Sequence, residues 1–258
     1  PRFTEARRLL AQYLFQQNHV TAAIRHLKEL RLYDPKNEEY LTLLTELHLR
    51  AAHLEKAQQI LDEWKKHNPD SLARRSLQAH LAMVKEEWET AVEIYGGIFG
   101  EKPTEQTLYK YVDALLKNNQ PKEAALILSR SEDLTSNDNK IRYYAHLGNV
   151  RAAIPEKKEA ALEAFDNAIA TAVNTNQKHL NQVITMAKNG LPKNDLLKLL
   201  NKYYEADPSG IVGLKLAQEM IINKQLEKAH AIMQNLEGKI TNDSPIYARM
   251  LVLYSNLF

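Results

Sequence analysis

Apolar side chains recur along the chain at spacings of three, four and seven residues, which is the period of helices that bury one stripe. The pattern comes in blocks, in which a small alanine is followed four residues later by a large apolar residue and three residues after that by another. The first three blocks place these residues at Ala23, Leu27 and Leu30, at Ala57, Leu61 and Trp64, and at Ala91, Tyr95 and Ile98. An amphipathic stretch precedes each block, so the sequence predicts a succession of helix pairs.

Prolines indicate how long each pair is. Pro35, Pro69 and Pro103 are 34 residues apart, and Pro208 follows after 105 residues, or three further blocks averaging 35. Because proline cannot continue a helix, each one marks the end of one pair and the start of the next. Two helices approach closely only where side chains are small, which accounts for the recurring alanine. One such pair cannot bury its apolar faces alone and must stack on its neighbours.

This pattern resembles the tetratricopeptide repeat (TPR) superfamily, whose 34-residue unit is a helix–turn–helix with a small residue in the first helix and alanine in the second. The small position of the first helix is matched by Ala11, Ala79, Gly148 and Ala217. The alanine of the second helix is matched by Ala23, Ala57, Ala91, Ala124, Ala161 and Ala229. The large residue four positions later is matched by Leu27, Leu61, Tyr95, Leu128, Phe165, Leu200 and Met233. The resemblance implies an all-α fold, a right-handed superhelical solenoid of TPR repeats.

We predict one solenoid domain over residues 1–258. Its seven repeats lie at approximately 4–37, 38–71, 72–104, 105–140, 141–176, 177–209 and 210–243, and a final unpaired helix at 244–258. Two departures from the repeat are expected to perturb local packing. Extra residues near Ile154 and Pro155 lengthen the inner turn of the fifth repeat, and Leu196 replaces the small alanine of the sixth.

Composition and charge exclude several kinds of function. The chain has no cysteine, which removes disulfides, thiolate metal sites and a cysteine nucleophile. Its 34 basic and 32 acidic side chains give a net charge of +2, too small to favour a polyanionic partner. The longest apolar run, Met250–Tyr254, is far too short to span a membrane. The chain begins at Pro1, so we interpret it as a segment of a longer protein, and its compartment stays open between cytoplasm and bacterial periplasm.

Motifs for catalysis and metal binding are missing from the sequence. None of the nine histidines pairs with another at a spacing of four, and neither a phosphate-binding glycine loop nor a nucleophile motif is present. Trp64 and Trp88 occupy core positions of the repeat, so they are predicted to pack inside rather than to bind a ligand. We therefore predict a non-enzymatic protein with no cofactor, no metal and no small-molecule substrate.

The TPR resemblance implies that the first helices of successive repeats line a concave groove, where partner peptides lie. The partner-binding candidates at groove positions are Arg8, Gln12, Arg50, His80, Lys110, Lys117, Arg142, Asn149, Lys178, Asn181 and Lys188. The second half of this set carries cations and amides and no carboxylate, which favours an acidic peptide or a terminal carboxylate. Leu43, Ala73 and Leu77 stand where the TPR receptors of chaperone tails need polar groups, which disfavours that role.

The last helix, 244–258, is predicted to leave an apolar face open, because no partner helix follows it. Terminal repeats normally carry a polar capping face. We expect either that the native protein continues beyond Phe258 or that this face forms a subunit contact.

Two other functions remain open. The first is single-stranded RNA binding by related repeats of about 35 residues, which the near-neutral charge and the Ala/Pro pattern disfavour. The second is a helical arm of an envelope assembly or export protein whose other activity lies outside this segment, a resemblance of architecture only. The leading hypothesis is a scaffold that binds a peptide or protein segment in the groove.

Overall fold

The computed structural model is all-α over the residues that it describes, namely 3–135, 140–175, 177–206, 211–237, 239 and 245–254, without the side chains of 174–178 and 245–249. The helices, with two short 3-10 turns omitted, are α1 Thr4–Gln16, α2 Val20–Tyr33, α3 Glu38–Arg50, α4 Leu54–His67, α5 Leu72–Val84, α6 Trp88–Glu101, α7 Glu105–Lys117, α8 Pro121–Arg130, α9 Lys140–Ala152, α10 Lys158–Thr175, α11 Gln177–Gly190, α12 Lys193–Ala206, α13 Ile211–Ile222, α14 Leu226–Glu237 and α15 Pro245–Tyr254. The expectation of an all-α helical-repeat fold is confirmed.

The chain divides into two compact units, unit 1 (Pro1–Ile127) and unit 2 (Leu128–Phe258). The boundary falls within α8. Odd-numbered helices from α1 to α13 are called first helices below, and the even-numbered helices that follow them are called second helices.

The turn inside a helix pair is made the same way five times. One residue of each turn adopts the left-handed conformation, with φ between 55° and 62°: Asn18, Ala52, Glu86, Asn119 and Lys224. None of them is glycine, although this backbone region strains every residue with a β-carbon and strains asparagine least. The turn geometry therefore comes from the packing of the two helices rather than from the turn residue.

The prolines act between pairs, as the sequence predicts. Asp34, Asn68 and Lys102 follow the ends of α2, α4 and α6 in one common extended conformation, with φ near −140° and ψ near 83°. A residue before proline is driven out of the helical region by the proline ring, so each of these helices ends where the proline requires it. Side-chain caps then start the next helix, since Asn37 accepts bonds from two backbone amides of α3 and Ser71 accepts one from Arg74.

The core of unit 1 is built on the alternation of small and large residues. Ala11, Ala23 and Ala57 are fully buried beside Leu27, Leu61 and other leucines. Trp64 is 1% exposed, and its indole Nε1 donates a hydrogen bond to Glu38 over 3.2 Å. The prediction that Trp88 is a core residue is wrong: this side chain is only half-buried, because it opens α6 at the edge of the helix pair.

The core of unit 2 centres on Phe165, which is fully buried. Gly148 packs so closely against it that a β-carbon there would lie 2.9 Å from the phenyl ring. The lengthened inner turn of this pair is present, since a 3-10 turn at Pro155–Lys157 separates α9 from α10. Leu196 is buried at the position where the other pairs carry alanine.

The last described helix, α15, packs on unit 2 rather than standing alone. Met250 is fully buried, Leu253 contacts the core, and the ring of Tyr254 lies 5.9 Å from that of His230. Part of the predicted apolar face is covered in this way, while Leu251 (49%) and Val252 (63%) are exposed, so the prediction that this face meets a further partner stays a prediction. Residues 255–258 lie outside the described part of the chain.

Candidate functional site

The candidate site of unit 1 is the face formed by its first helices α1, α3, α5 and α7. Arg8 and Gln12 of α1 meet on one carboxylate of α3, since Arg8 Nη1 and Gln12 Nε2 donate to Glu39 Oε1 over 2.9 and 2.6 Å. Arg8 also donates two bonds to Glu5, and these bonds lower the pKa of that carboxyl and raise the pKa of the guanidinium. Arg8 is thus already neutralised by the protein itself.

Two other predicted cations of unit 1 lie against aromatic rings. The Arg50 guanidinium carbon is 3.9 Å from the centre of the Phe15 ring, and Arg50 Nη1 is 3.4 Å from the Phe15 carbonyl oxygen. Lys117 Nζ is 5.9 Å from the centre of the half-buried Trp88 ring. Cation–π contacts of this kind hold the side chain without consuming its positive charge.

Lys110 of α7 is the most constrained cation on this face. Its Nζ donates to Ser76 Oγ on α5 over 3.0 Å and lies 5.9 Å from the ring centre of Tyr95. Desolvation by these neighbours lowers the pKa of Lys110, and the nearby charge of Glu46 offsets part of that effect. Desolvation, and secondarily the Lys110 charge, lower the pKa of His80, so these two predicted residues do come together.

In unit 2 one predicted cation is paired with a carboxylate. Lys188 Nζ of α11 lies 2.8 Å from Glu219 Oε1 of α13, and Glu219 is only 8% exposed. Glu219, a residue outside the predicted set, therefore places a carboxylate beside the predicted cations and neutralises Lys188. This pairing also fixes the spacing of α11 and α13, since a buried carboxylate without its cation is costly.

The remaining predicted residues of unit 2 lie on α9 and α11. Arg142 is exposed and Asn149 is half-buried on α9. On α11, the Asn181 carbonyl Oδ1 is buried and has no hydrogen-bond partner among the described residues, while its backbone carbonyl accepts from Thr185 Oγ1 over 2.8 Å. The side chain of Lys178 lies outside the described residues.

The sequence analysis did not predict two contacts in the structure. The first of them could have been found from the spacing of charged residues. Arg8–Glu39 and Lys188–Glu219 both join residues 31 positions apart on successive first helices. This spacing is about one helical turn shorter than the 34-residue repeat. Opposite charges at this spacing in the sequence predict the pairing of Lys188 with Glu219. The second feature is the contact of His48 with His53, whose Nδ1 atoms lie 3.4 Å apart across the α3–α4 turn.

Metal and membrane sites find no support in the described part of the structure. No three metal-binding side chains cluster there, and none of the helices within it is long and apolar enough to cross a bilayer.

Comparison with known proteins agrees with the repeat architecture. A sequence model of the tetratricopeptide repeat family matches residues 14–81. No curated protein sequence matches the chain. The helix pairs define a helical-repeat protein, and the family match identifies residues 14–81 as similar to tetratricopeptide repeats.

Solved structures share the fold at low sequence identity. A tetratricopeptide repeat protein from Parabacteroides merdae is 14% identical, with a TM-score of 0.58 over 98% of this chain and 100% of the other. MamA (residue 41 to the end) from Desulfovibrio magneticus RS-1 is 16% identical, with a TM-score of 0.56 over 68% of this chain and 98% of MamA. A chain of the Cut9–Hcn1 hetero-tetramer is 13% identical, with a TM-score of 0.55 over 96% of this chain and 48% of the other.

Proposed function

We propose that the chain is a non-enzymatic scaffold that binds a peptide or protein segment along its first helices, and that an acidic side chain of the segment is held at Lys110. The family match supports a protein-interaction role. One similar structure was determined as a complex between two different proteins, Cut9 and Hcn1. The failure of every catalytic motif in the sequence supports a role without chemistry.

The observation that carries the proposal is the state of Lys110. Its hydrogen bond goes to the neutral hydroxyl of Ser76, and no carboxylate among the described residues lies within ion-pair distance of its ammonium group. Lys110 is half-buried, and this partial desolvation lowers the pKa of its ammonium group. An incoming carboxylate gains a charge-assisted hydrogen bond and restores the lost stabilisation, whereas at Arg8 or Lys188 it competes with a protein carboxylate.

The first-helix face of unit 2 offers a different contact. Asn181 Oδ1 is an unused hydrogen-bond acceptor among the described residues, and Arg142 on α9 is exposed. An unpaired carbonyl in a partly dry site accepts a backbone N–H of an extended peptide at little desolvation cost, because its water is already lost. This face of unit 2 is therefore suited to binding peptide backbone.

The test uses labelled decapeptides that share a Gly/Ser/Leu frame and carry either aspartates or lysines at the same positions. Binding to the full chain is followed by fluorescence anisotropy. Lys110→Met keeps the aliphatic stem and removes the charge, and we expect it to weaken the aspartate peptides about tenfold or more. The control is Lys122→Met, which removes an exposed lysine from α8.

Equal binding of aspartate and lysine peptides, or an unchanged affinity in Lys110→Met, would refute the acidic-segment proposal. A single-stranded RNA oligonucleotide serves as a further probe. Tight RNA binding that falls steeply with salt would favour the nucleic-acid function instead.

A further inference from the structure

A second groove lies in unit 2, between the second helices α10 and α12. It has two lobes of about 490 and 390 Å³. Glu159, Leu162 and Asp195 line both lobes, so the lobes form one continuous groove, called the outer groove below. None of its lining residues is one of the positions on α9, α11 and α13 that are described above for peptide binding.

The floor of the outer groove is apolar. Leu191 and Leu199 are buried beneath it, and Leu162 is half-buried between the two lobes. Small residues, Ala152, Ala161 and Gly190, widen the lobe next to the α11–α12 turn. Such a floor offers no hydrogen-bond partner to an extended backbone, whereas a helix satisfies its own backbone groups.

At one end of the outer groove, the carboxylate of Asp166 is bound by Lys202 and Tyr203. Lys202 Nζ lies 2.8 and 2.7 Å from the two carboxylate oxygens of Asp166, and Tyr203 Oη lies 2.6 Å from Asp166 Oδ1. The charges of Asp166 and Lys202 are thus used within the protein. The charged groups left for a ligand are therefore those in the middle of the groove.

The middle of the outer groove is acidic. Glu159 on α10 and Asp195 on α12 line both lobes together with Leu162, and Glu163 follows Glu159 by four residues, about one helical turn, on α10. None of these three carboxylates has an ion-pair or hydrogen-bond partner among the described residues. The cations Lys158 and Lys198 each line one lobe only, so the shared middle carries negative charge alone.

We propose that the outer groove binds an amphipathic helix of a partner protein, with apolar side chains on Leu162 and Leu199 and a lysine or arginine between Glu159 and Asp195. The aliphatic stem of a basic residue covers Leu162 while its charged head reaches both carboxylates. A third helix packs against two neighbours in the way helices pack within a bundle. Unpaired carboxylates above an apolar floor supply the charge complementarity that selects a basic partner over an acidic one.

The size of the outer groove limits the segment that it accommodates. Glu159 and Asp166 are seven residues apart on α10, which corresponds to about 10 Å along the helix axis. The bound helix therefore contacts the groove over about two turns, with apolar residues at spacings of three, four and seven. The basic residue falls about one turn from the apolar residue that meets Leu199.

Three synthetic 18-residue peptides test the proposal against the full chain by fluorescence anisotropy. The first has leucines at helical spacing flanked by lysines, the second replaces each lysine with glutamate, and the third keeps the composition of the first but shuffles the leucines. We expect the first peptide to bind at least tenfold more tightly than either of the others. If the glutamate or the shuffled peptide binds as well as the first, the proposal is overturned.

Variants then locate the binding. The double variant Glu159→Gln/Asp195→Asn should weaken the lysine peptide about tenfold, while Glu227→Gln should leave it unchanged. The control is matched, because Glu159, Asp195 and Glu227 are all acidic residues in the first turn of a helix. Lys198→Glu extends the negative charge and should tighten binding, a gain that misfolding cannot mimic. An unchanged affinity in the double variant or in Lys198→Glu would overturn the assignment, and Lys110→Met should leave this binding intact.

Discussion

Acidification is expected to destabilise unit 1 through one buried histidine. His48 is 3% exposed, and its Nδ1 lies 3.4 Å from Nδ1 of the exposed His53. Burial, and after it the charges of His53, Lys28 and Lys56, lower the pKa of His48 from its ordinary value of 6.5 to about 4. His48 is therefore protonated at a lower pH in the folded state than in the unfolded chain.

The magnitude follows from the two pKa values. Above pH 6.5 both states leave His48 neutral, so its contribution to the unfolding free energy is constant there. Between pH 6.5 and about 4 only the unfolded state takes up the proton, so stability falls with the pH. At pH 5 the loss is on the order of 2 kcal/mol, from 1.36 kcal/mol per pH unit over roughly 1.5 units.

The assay is urea unfolding at pH 7.5 and pH 5, followed by the fluorescence of Trp64 in a Trp88→Phe background. Trp64 lies in the same helix pair as His48, so it reports on this part of unit 1. We expect His48→Gln to reduce the difference between the two pH values by about 2 kcal/mol. His53→Gln should retain most of the difference, because burial is the larger cause. If wild type and His48→Gln lose the same stability on acidification, the reasoning is refuted.

Two glycine predictions concern packing and turns, both measured by urea unfolding with circular dichroism. Gly148→Ala should lower the unfolding free energy of unit 2 by about 1–3 kcal/mol, since the new β-carbon meets Phe165. Gly100→Ala is the control, because its β-carbon meets open space near the end of α6, and it should raise the unfolding free energy of unit 1 by up to about 0.5 kcal/mol. Equal effects of the two would contradict the close contact. Ala52→Gly should stabilise unit 1 by about 0.5 kcal/mol by relieving its left-handed strain, and Asn119→Gly should change little. A loss of stability in Ala52→Gly would show that the turn is unstrained.

The sequence predicted the helix pairs well because their cause is local. The buried alanine and the large residue four positions later recur in every pair except the one with Leu196. The prolines stop α2, α4 and α6 through a steric effect on one neighbouring residue. Trp88 was misplaced because repeat register does not show where a helix begins. Its position at the start of α6 leaves one side of the ring in solvent.

The candidate site was less predictable, because register places a side chain on a face but not its partner. Lys188 was predicted to bind a partner, and only the structure shows that Glu219 reaches it from the next first helix. His48 and His53 fall outside the usual helical spacings, since the left-handed residue Ala52 folds one back on the other. The desolvation of Lys110 depends on three helices at once and has no signature in the local sequence.

The carboxylate of Glu38 has a consequence for how such a chain grows. It opens α3 and accepts hydrogen bonds from both Trp64 and Asn68 at the far end of α4, over 3.2 and 2.7 Å. The start of α3 and the end of α4 therefore lie side by side. We therefore expect that a duplicated copy of this segment can be inserted at this point, so that the array changes in length by whole helix pairs.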